Sequence, residues 1–231
     1  MSEVASPRSE SPAESTPAPE RLRITEIFHS LQGEARDSGW PTVFVRLTGC
    51  PLRCSYCDTA YAFHGGEWRT IDEILDEVAR HGARRVCVTG GEPLAQKRCL
   101  ALLGRLVDQG YAVSLETSGA IDIAGVDTRV SRVLDIKTPD SGECARNLWG
   151  NLDQLTAHDQ VKFVIGGRAD YEWSRDVVRE RGLAARCDVL FSPSYGRLAP
   201  HELADWILAD RLPVRMQIQL HKAIWGEVPG K

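Results

Sequence analysis

Short apolar runs recur along the chain, and each ends in polar, glycine or proline residues. Pro41–Gly49 stops at a cysteine loop, and Arg85–Thr89 runs into Gly90-Gly91-Glu92-Pro93. Ala112–Leu115 precedes Glu116-Thr117-Ser118-Gly119, and Arg132–Ile136 runs into Lys137-Thr138-Pro139. Gln160–Ile165 leads to Gly166-Gly167, and Val189–Phe191 to Ser192-Pro193. Between most of these runs the apolar spacing changes to that of a helix. Ile71, Ile74, Leu75, Val78 and Ala79 share one face, with Thr70 or Asp72 near the N-cap and Gly82 beyond the end. Leu100, Leu103, Leu106 and Val107 predict a second helix ending at Gly110, and Tyr171–Arg181 and His201–Ala209 predict two more. Residues 122–130 and 147–156 carry only a weak helical signal. Strands alternating with helices predict an α/β fold with a parallel sheet.

The chain of 231 residues is shorter than a typical eight-unit barrel. The pattern therefore predicts an incomplete TIM-type barrel of about six parallel strands, open on one side. Val214–Leu220 is expected to add a further strand at an edge. Leu22, Ile24 and Ile27-Phe28 suggest a short strand that enters a loop at Ser30–Gly33. Polar residues gather just after each strand, where the sites of such folds lie.

Alternation assigns faces. Val43, Val45 and Leu47 oppose Phe44, Arg46 and Thr48, while Leu134 and Ile136 oppose Asp135 and Lys137. Met216, Ile218 and Leu220 oppose Gln217, Gln219 and His221. Helices cover the outer face of a parallel sheet, so the apolar set faces out. Arg46, Asp135, Lys137, Gln217, Gln219 and His221 are then expected inside, near one end. Converging buried polar groups imply an internal ion-pair network or a polar ligand. Lys162 is assigned no role.

Net charge is −4, which supplies no basic field for nucleic acid. No apolar run approaches the roughly 20 residues of a membrane span, and no apolar signal-peptide core stands at the N-terminus. The expected compartment is the cytoplasm, with no membrane partner. Residues 1–20, rich in Ser, Pro, Glu and Ala, are expected to be a disordered tail before one domain over 21–231. The seven cysteines are an odd number, which speaks against a disulfide framework. Cys87 lies within an apolar run and reads as a small buried hydrophobe.

Cys50, Cys54 and Cys57 stand at C-x3-C-x2-C spacing, with Tyr56 before the last. Soft thiolates select zinc, copper(I) or iron–sulfur clusters. Four cysteines commonly hold a [4Fe–4S] cluster, so three leave one iron open to a small molecule. Zinc, with His64 as a fourth ligand, is the alternative reading of the loop.

The C-x3-C-x-aromatic-C loop, together with Gly90-Gly91-Glu92-Pro93 at the next strand end, resembles the radical S-adenosylmethionine (SAM) superfamily and its fold core. There the open iron chelates SAM, whose reductive cleavage gives a 5′-deoxyadenosyl radical. Ser30-Leu31-Gln32-Gly33-Glu34, Arg46, Cys57-Asp58-Thr59, Glu116-Thr117-Ser118-Gly119, Asp135-Ile136-Lys137 and His221-Lys222 together resemble the 7-carboxy-7-deazaguanine synthase family, over residues 22 to about 229. In the Asp135–Lys137 segment many relatives have a Ser-containing motif.

The resemblance implies a magnesium-dependent carbon–nitrogen lyase of queuosine and deazapurine biosynthesis. It would convert 6-carboxy-5,6,7,8-tetrahydropterin to 7-carboxy-7-deazaguanine with loss of ammonia. It implies that Cys50, Cys54 and Cys57 hold the cluster and Thr59 the magnesium. It places Leu31, Gln32, Gly33, Glu34, Arg46, Thr117, His221 and Pro229 at the substrate. Tyr56, Cys57, Asp58, Gly91, Glu92, Gly119, Asp135, Ile136 and Lys137 would contact SAM, with Glu92 accepting from its ammonium. A homodimer and an electron donor such as a flavodoxin are further implications. The competing readings are a glycyl-radical activating enzyme and a zinc-stabilised binding module.

Overall fold

The computed structural model describes residues 20–228 and 230. The expected tail therefore lies outside the described residues, except Glu20, whose carbonyl accepts from Ile71 N at 3.1 Å. Pro229 also lies outside them.

The strands are β1 (Arg21–Leu31), β2 (Pro41–Leu47), β3 (Glu67–Thr70), β4 (Arg85–Gly90), β5 (Ala112–Thr117), β6 (Ser131–Ile136), β7 (Gln160–Ile165), β8 (Asp188–Pro193) and β9 (Arg215–Met216). The helices are α1 (Ile71–Arg80), α2 (Cys99–Asp108), α3 (Arg168–Glu180), α4 (Pro200–Ala209) and α5 (Leu220–Trp225). All nine strands form one sheet in the order β3-β1-β2-β4-β5-β6-β7-β8-β9. Neighbours from β2 to β9 pair in parallel, while β1 pairs antiparallel with β2 and β3. The sheet is an open partial barrel whose edge strands are β3 and β9, with six full parallel strands from β2 to β8.

Strand alternation places the core. Val43, Val45, Leu47, Val86, Val88, Leu134, Ile136, Val161, Phe163 and Ile165 pack into a single apolar cluster with Ile74, Leu75 and Val78 of α1 and Leu102, Leu103 and Leu106 of α2. The intervening residues face the concave side. α1 starts at a capping box: Thr70 Oγ1 accepts from Glu73 N at 3.2 Å, and Glu73 returns a carboxylate to Thr70 N at 2.7 Å. Such a cap contributes about 1 kcal/mol.

Several expectations are corrected. β1 continues through Ser30 to Leu31, because its carbonyls and amides pair with β2 along that whole length. Residues 122–130 form turns, and the weak helical signal at 147–156 is a 3-10 turn over Trp149–Gln154. Val214–Leu220 is not a full strand. Arg215–Met216 pairs with β8 and Gln217 N still donates to Phe191 O at 3.0 Å, after which Leu220 N turns to Gly33 O at 2.9 Å and α5 begins. Gln217 is absent from the cavity wall, and its Oε1 accepts from Ala35 N at 2.8 Å, beside the inward-facing Val133 and Leu190.

At the opposite end of the strands from the cysteine loop, Arg132 and Asp159 form a buried pair at 2.6 Å, with side-chain exposures of 7% and 1%. Asp159 also accepts from Arg132 N, Thr156 N and Thr156 Oγ1. Removing one partner of such a pair strands a buried charge. Asp159→Ala is predicted to cost about 3–5 kcal/mol in urea unfolding. A loss below about 1 kcal/mol would contradict this account of the pair.

Candidate active site

The concave face encloses a cavity of about 530 Å³ at the C-terminal ends of the parallel strands. That volume suits a drug-sized ligand and its cofactor partner. One wall is the loop after β2, with Cys50, Cys54, Tyr56, Cys57, Asp58 and Thr59 all lining the cavity. Leu31, Gln32, Gly33 and Glu34 line it from the β1–β2 connection, and Arg46 from β2. Thr117, Asp135, Lys137 and Gly91 line it from later strand ends, and Gln219, His221 and Lys222 from the last segment.

Two glycines are required by close approach. A Cβ on Gly91 would stand 2.4 Å from Gly49 O and 2.7 Å from Cys50 Cβ, so the GGEP turn packs directly on the cysteine loop. A Cβ on Gly33 would fall 1.8 Å from His221 Nδ1. Gly33 thereby lets the imidazole close over the β1–β2 connection.

A chain of buried charge runs across the cavity. Lys162 Nζ lies 2.7 Å from Glu34 Oε2 and 3.2 Å from Asp135 Oδ2, and Lys137 Nζ lies 3.1 Å from Asp135 Oδ1. Gln219 Nε2 donates to Glu34 Oε1 at 2.7 Å. Lys222 Nζ pairs with Asp58 Oδ2 at 2.7 Å, and Asp58 Oδ1 accepts from Thr59 Oγ1 at 2.8 Å. Burial opposes ionisation of Glu34 and Asp135, but the lysines beside them outweigh it and hold both carboxyls below the usual range. Burial equally opposes the charge of Lys137, and Asp135 overcomes it. Lys162 was given no role on sequence, yet it is the hub. Its alternation with Val161 and Phe163 was the available signal.

Glu116 behaves differently. Its contacts are weak, from Gln32 Nε2 at 3.4 Å and the Cys87 thiol at 3.8 Å. Burial raises its carboxyl above the ordinary range despite Lys162, with Glu34 and Asp135 adding to the effect and Arg46 opposing it. Cys87 is buried as expected, but faces the cavity side beside Glu116. Thr89 and Glu116 line the cavity and were not singled out individually from the sequence.

Three expected contacts take other positions. Glu92 is fully buried and does not line the cavity. Its carboxylate accepts from Leu94 N at 3.0 Å, Thr117 Oγ1 at 3.0 Å and Ser118 N at 2.7 Å, and also from Ser118 Oγ. The acceptor expected for a ligand ammonium is thus already occupied in joining the GGEP turn to the end of β5. Ile136 points into the outer core. Gly119 lies off the cavity, where its carbonyl accepts from Leu148 N and Asn151 Nδ2.

Cys50, Cys54 and Cys57 all open onto the cavity as soft ligands suited to iron–sulfur chemistry. Among the described residues, no three His, Cys, Asp or Glu side chains converge closely enough to hold one metal ion. His64 is exposed and lies off the cavity. Burial raises the Cys50 thiol and pushes the Cys54 thiol up to about 11, with Lys137 opposing. Such thiols ionise when iron replaces their protons.

A model of the radical SAM superfamily matches residues 44–182. The 7-carboxy-7-deazaguanine synthase of Chlorobaculum tepidum is 46% identical over 216 residues, covering 92% of this chain and 97% of the relative. That of Koribacter versatilis is 45% identical over 219 residues, covering 88% and 97%. This chain belongs to the 7-carboxy-7-deazaguanine synthase family of radical SAM enzymes. Among solved structures, QueE from Escherichia coli shares the fold with a TM-score of 0.68 at 23% identity, over 87% of this chain and 95% of that one. Membership in the synthase family brings a [4Fe–4S] cluster and SAM as cofactors. It also sets aside the zinc-module and activating-enzyme readings. Among the described residues, no helix is long and apolar enough to cross a membrane.

In the synthase cavity, Glu116 generates a prediction. Its raised carboxyl pKa means the folded chain holds a proton that the unfolded chain releases. Stability from this group is therefore full below the ordinary glutamate value of 4.5 and is lost as pH rises through the folded value. Glu116→Gln is predicted to raise the thermal midpoint of cofactor-free protein at neutral pH and to flatten its decline with pH above 4.5. Identical midpoint–pH curves for the two proteins would contradict it.

Proposed function

We propose that this enzyme converts 6-carboxy-5,6,7,8-tetrahydropterin to 7-carboxy-7-deazaguanine and ammonia, using SAM, the [4Fe–4S] cluster and magnesium. The observation that carries this reading is identity to named synthases along nearly the whole described chain. Substrate and product differ by one ammonia, so the conversion needs no net oxidant or reductant. SAM cleaved at the reduced cluster supplies a hydrogen-abstracting radical, and the redox balance allows the hydrogen to return.

The residues then divide the work. Arg46, a fixed planar fork on β2, clamps the substrate carboxylate. Gln32 and Glu116 meet the donor-rich edge of the aminopyrimidinone, for which Glu116 has acceptor capacity to spare. Glu34 is oriented by Lys162 and Gln219, and His221 closes the wall over Gly33. Burial keeps the His221 imidazole below its ordinary pKa, so it serves as a neutral hydrogen-bonding group. Tyr56, Cys57, Asp58, Gly91, Asp135 and Lys137 face the SAM side. Glu92, Gly119 and Ile136 support that side from behind, rather than by side-chain contact. Thr59 offers a hydroxyl beside Asp58 for magnesium, a hard ion that binds few protein groups and keeps water or substrate oxygens. Family resemblance assigns Pro229, outside the described residues, to the substrate. The enzyme acts as a homodimer and takes electrons from a flavodoxin-type donor. Its place is the cytoplasm, in the route to queuosine and related deazapurines.

The test is anaerobic reconstitution with iron and sulfide, followed by the carboxypterin, SAM, magnesium and a reductant. Stoichiometric 7-carboxy-7-deazaguanine and ammonia are expected. Cys50→Ala, Cys54→Ala and Cys57→Ala should each lose the cluster absorbance and the activity. Thr59→Val should keep the cluster and shift the magnesium dependence to higher concentration. Deoxyadenosine formed without any deazaguanine would refute the substrate assignment.

A further inference from the structure

Arg46 is held from behind. Its Nε donates to Glu26 Oε1 at 2.6 Å, and the same carboxylate oxygen accepts from Tyr61 Oη at 2.7 Å. The guanidinium also lies over the Phe28 ring at 5.7 Å and over the Tyr61 ring at 5.9 Å. Phe28 in turn stacks on Phe44, with centroids 4.9 Å apart. Arg46 and Tyr61 line the cavity; Glu26 does not.

A register shift makes this arrangement possible. Ile24 pairs with Leu47, but Glu26 pairs with Arg46, so β1 carries one extra residue at this point. Without it, Thr25 would oppose Arg46, and Glu26 would oppose Val45 on the face that enters the core. The bulge brings Glu26 to the cavity face of the sheet. Thr25 is tied off by a 2.7 Å hydrogen bond between its hydroxyl and that of Thr48. Both Glu26 and Arg46 are largely shielded, with side-chain exposures of 24% and 16%. A shielded, charge-assisted bond of this kind restricts a side chain more than a surface pair does.

We propose that Glu26 is a positioning residue for substrate binding. By engaging Arg46 through Nε, it fixes the plane of the guanidinium and leaves the Nη groups to form a two-point contact with the substrate's 6-carboxylate. Tyr61 fixes Glu26. Because Tyr61 follows the cysteine loop in a 3-10 turn (Ala60–Phe63), the clamp is also referenced to the wall that carries the cluster. The inference rests on Arg46 being the carboxylate clamp.

The test compares two ligands on reconstituted, anaerobic enzyme: 6-carboxy-5,6,7,8-tetrahydropterin and 5,6,7,8-tetrahydropterin, which lacks the carboxylate. Glu26→Ala should weaken binding of the first by about ten- to a hundredfold and leave binding of the second unchanged. Glu26→Gln keeps an oxygen acceptor for Nε and should recover most of the loss. Tyr61→Phe should give a smaller loss of the same ligand-selective kind, and it serves if Glu26→Ala does not fold. A Glu26→Ala enzyme that binds the carboxypterin normally overturns the proposal, as does one that weakens both ligands alike. Arg46→Ala is the control. If it leaves carboxypterin binding intact, the clamp reading itself fails.

Discussion

Lys162 stands between Glu34 and Asp135 in the cavity wall, and the rest of the site depends on that double pairing. Two carboxylates from different parts of the chain would repel there, and water is too scarce to solvate them. One ammonium within 2.7 Å of the first and 3.2 Å of the second lets both stay ionised. Lys137 completes the balance on the far side of Asp135. Gln219 extends the network from Glu34 toward the last helix, where Lys222 holds Asp58 of the cysteine loop. Five separate segments thereby acquire one relative placement: the β1–β2 connection, β6, β7, the cysteine loop and α5.

This organisation follows from a division between the two faces of one sheet. The outward residues form the apolar core under the helices, and that burial stabilises the fold. The inward residues are free to be polar, because the core does not depend on them. Their buried charges weaken the empty protein and preorganise it for a charged ligand, a common balance in active sites. Glu116 illustrates the cost, since burial raises its carboxyl without a close cation. The bulge in β1 is a second local concession. It breaks regular pairing so that a carboxylate reaches the back of Arg46.

Much of this was legible in the residue pattern. The spacing of apolar runs and helical stripes marked all six long parallel strands and the four principal helices. Alternation placed Arg46, Asp135 and Lys137 on the concave side. Lys162 was legible by the same alternation, but a lone lysine in a strand does not announce its partners, and Glu34 lies 128 positions away. Glu92 misled because a conspicuous carboxylate after two glycines reads as a ligand contact. Only three-dimensional packing shows Thr117 and Ser118 already bonded to it. β3, four residues long and exposed, had no periodicity to detect. Glu26 was invisible because a bulge shifts strand phase without leaving a distinctive composition.

The measurement that bears most directly on this account is paired unfolding and ligand binding of Lys162→Met. The substitution keeps an aliphatic side chain and removes the charge that Glu34 and Asp135 share. The account predicts a loss of about 3–5 kcal/mol in urea unfolding at neutral pH, together with loss of measurable carboxypterin binding. It also predicts that lowering the pH toward the carboxylate range narrows the stability gap to wild type, because protonation relieves the stranded carboxylates. Stability within about 0.5 kcal/mol of wild type and unchanged binding would show that the site does not depend on this charge.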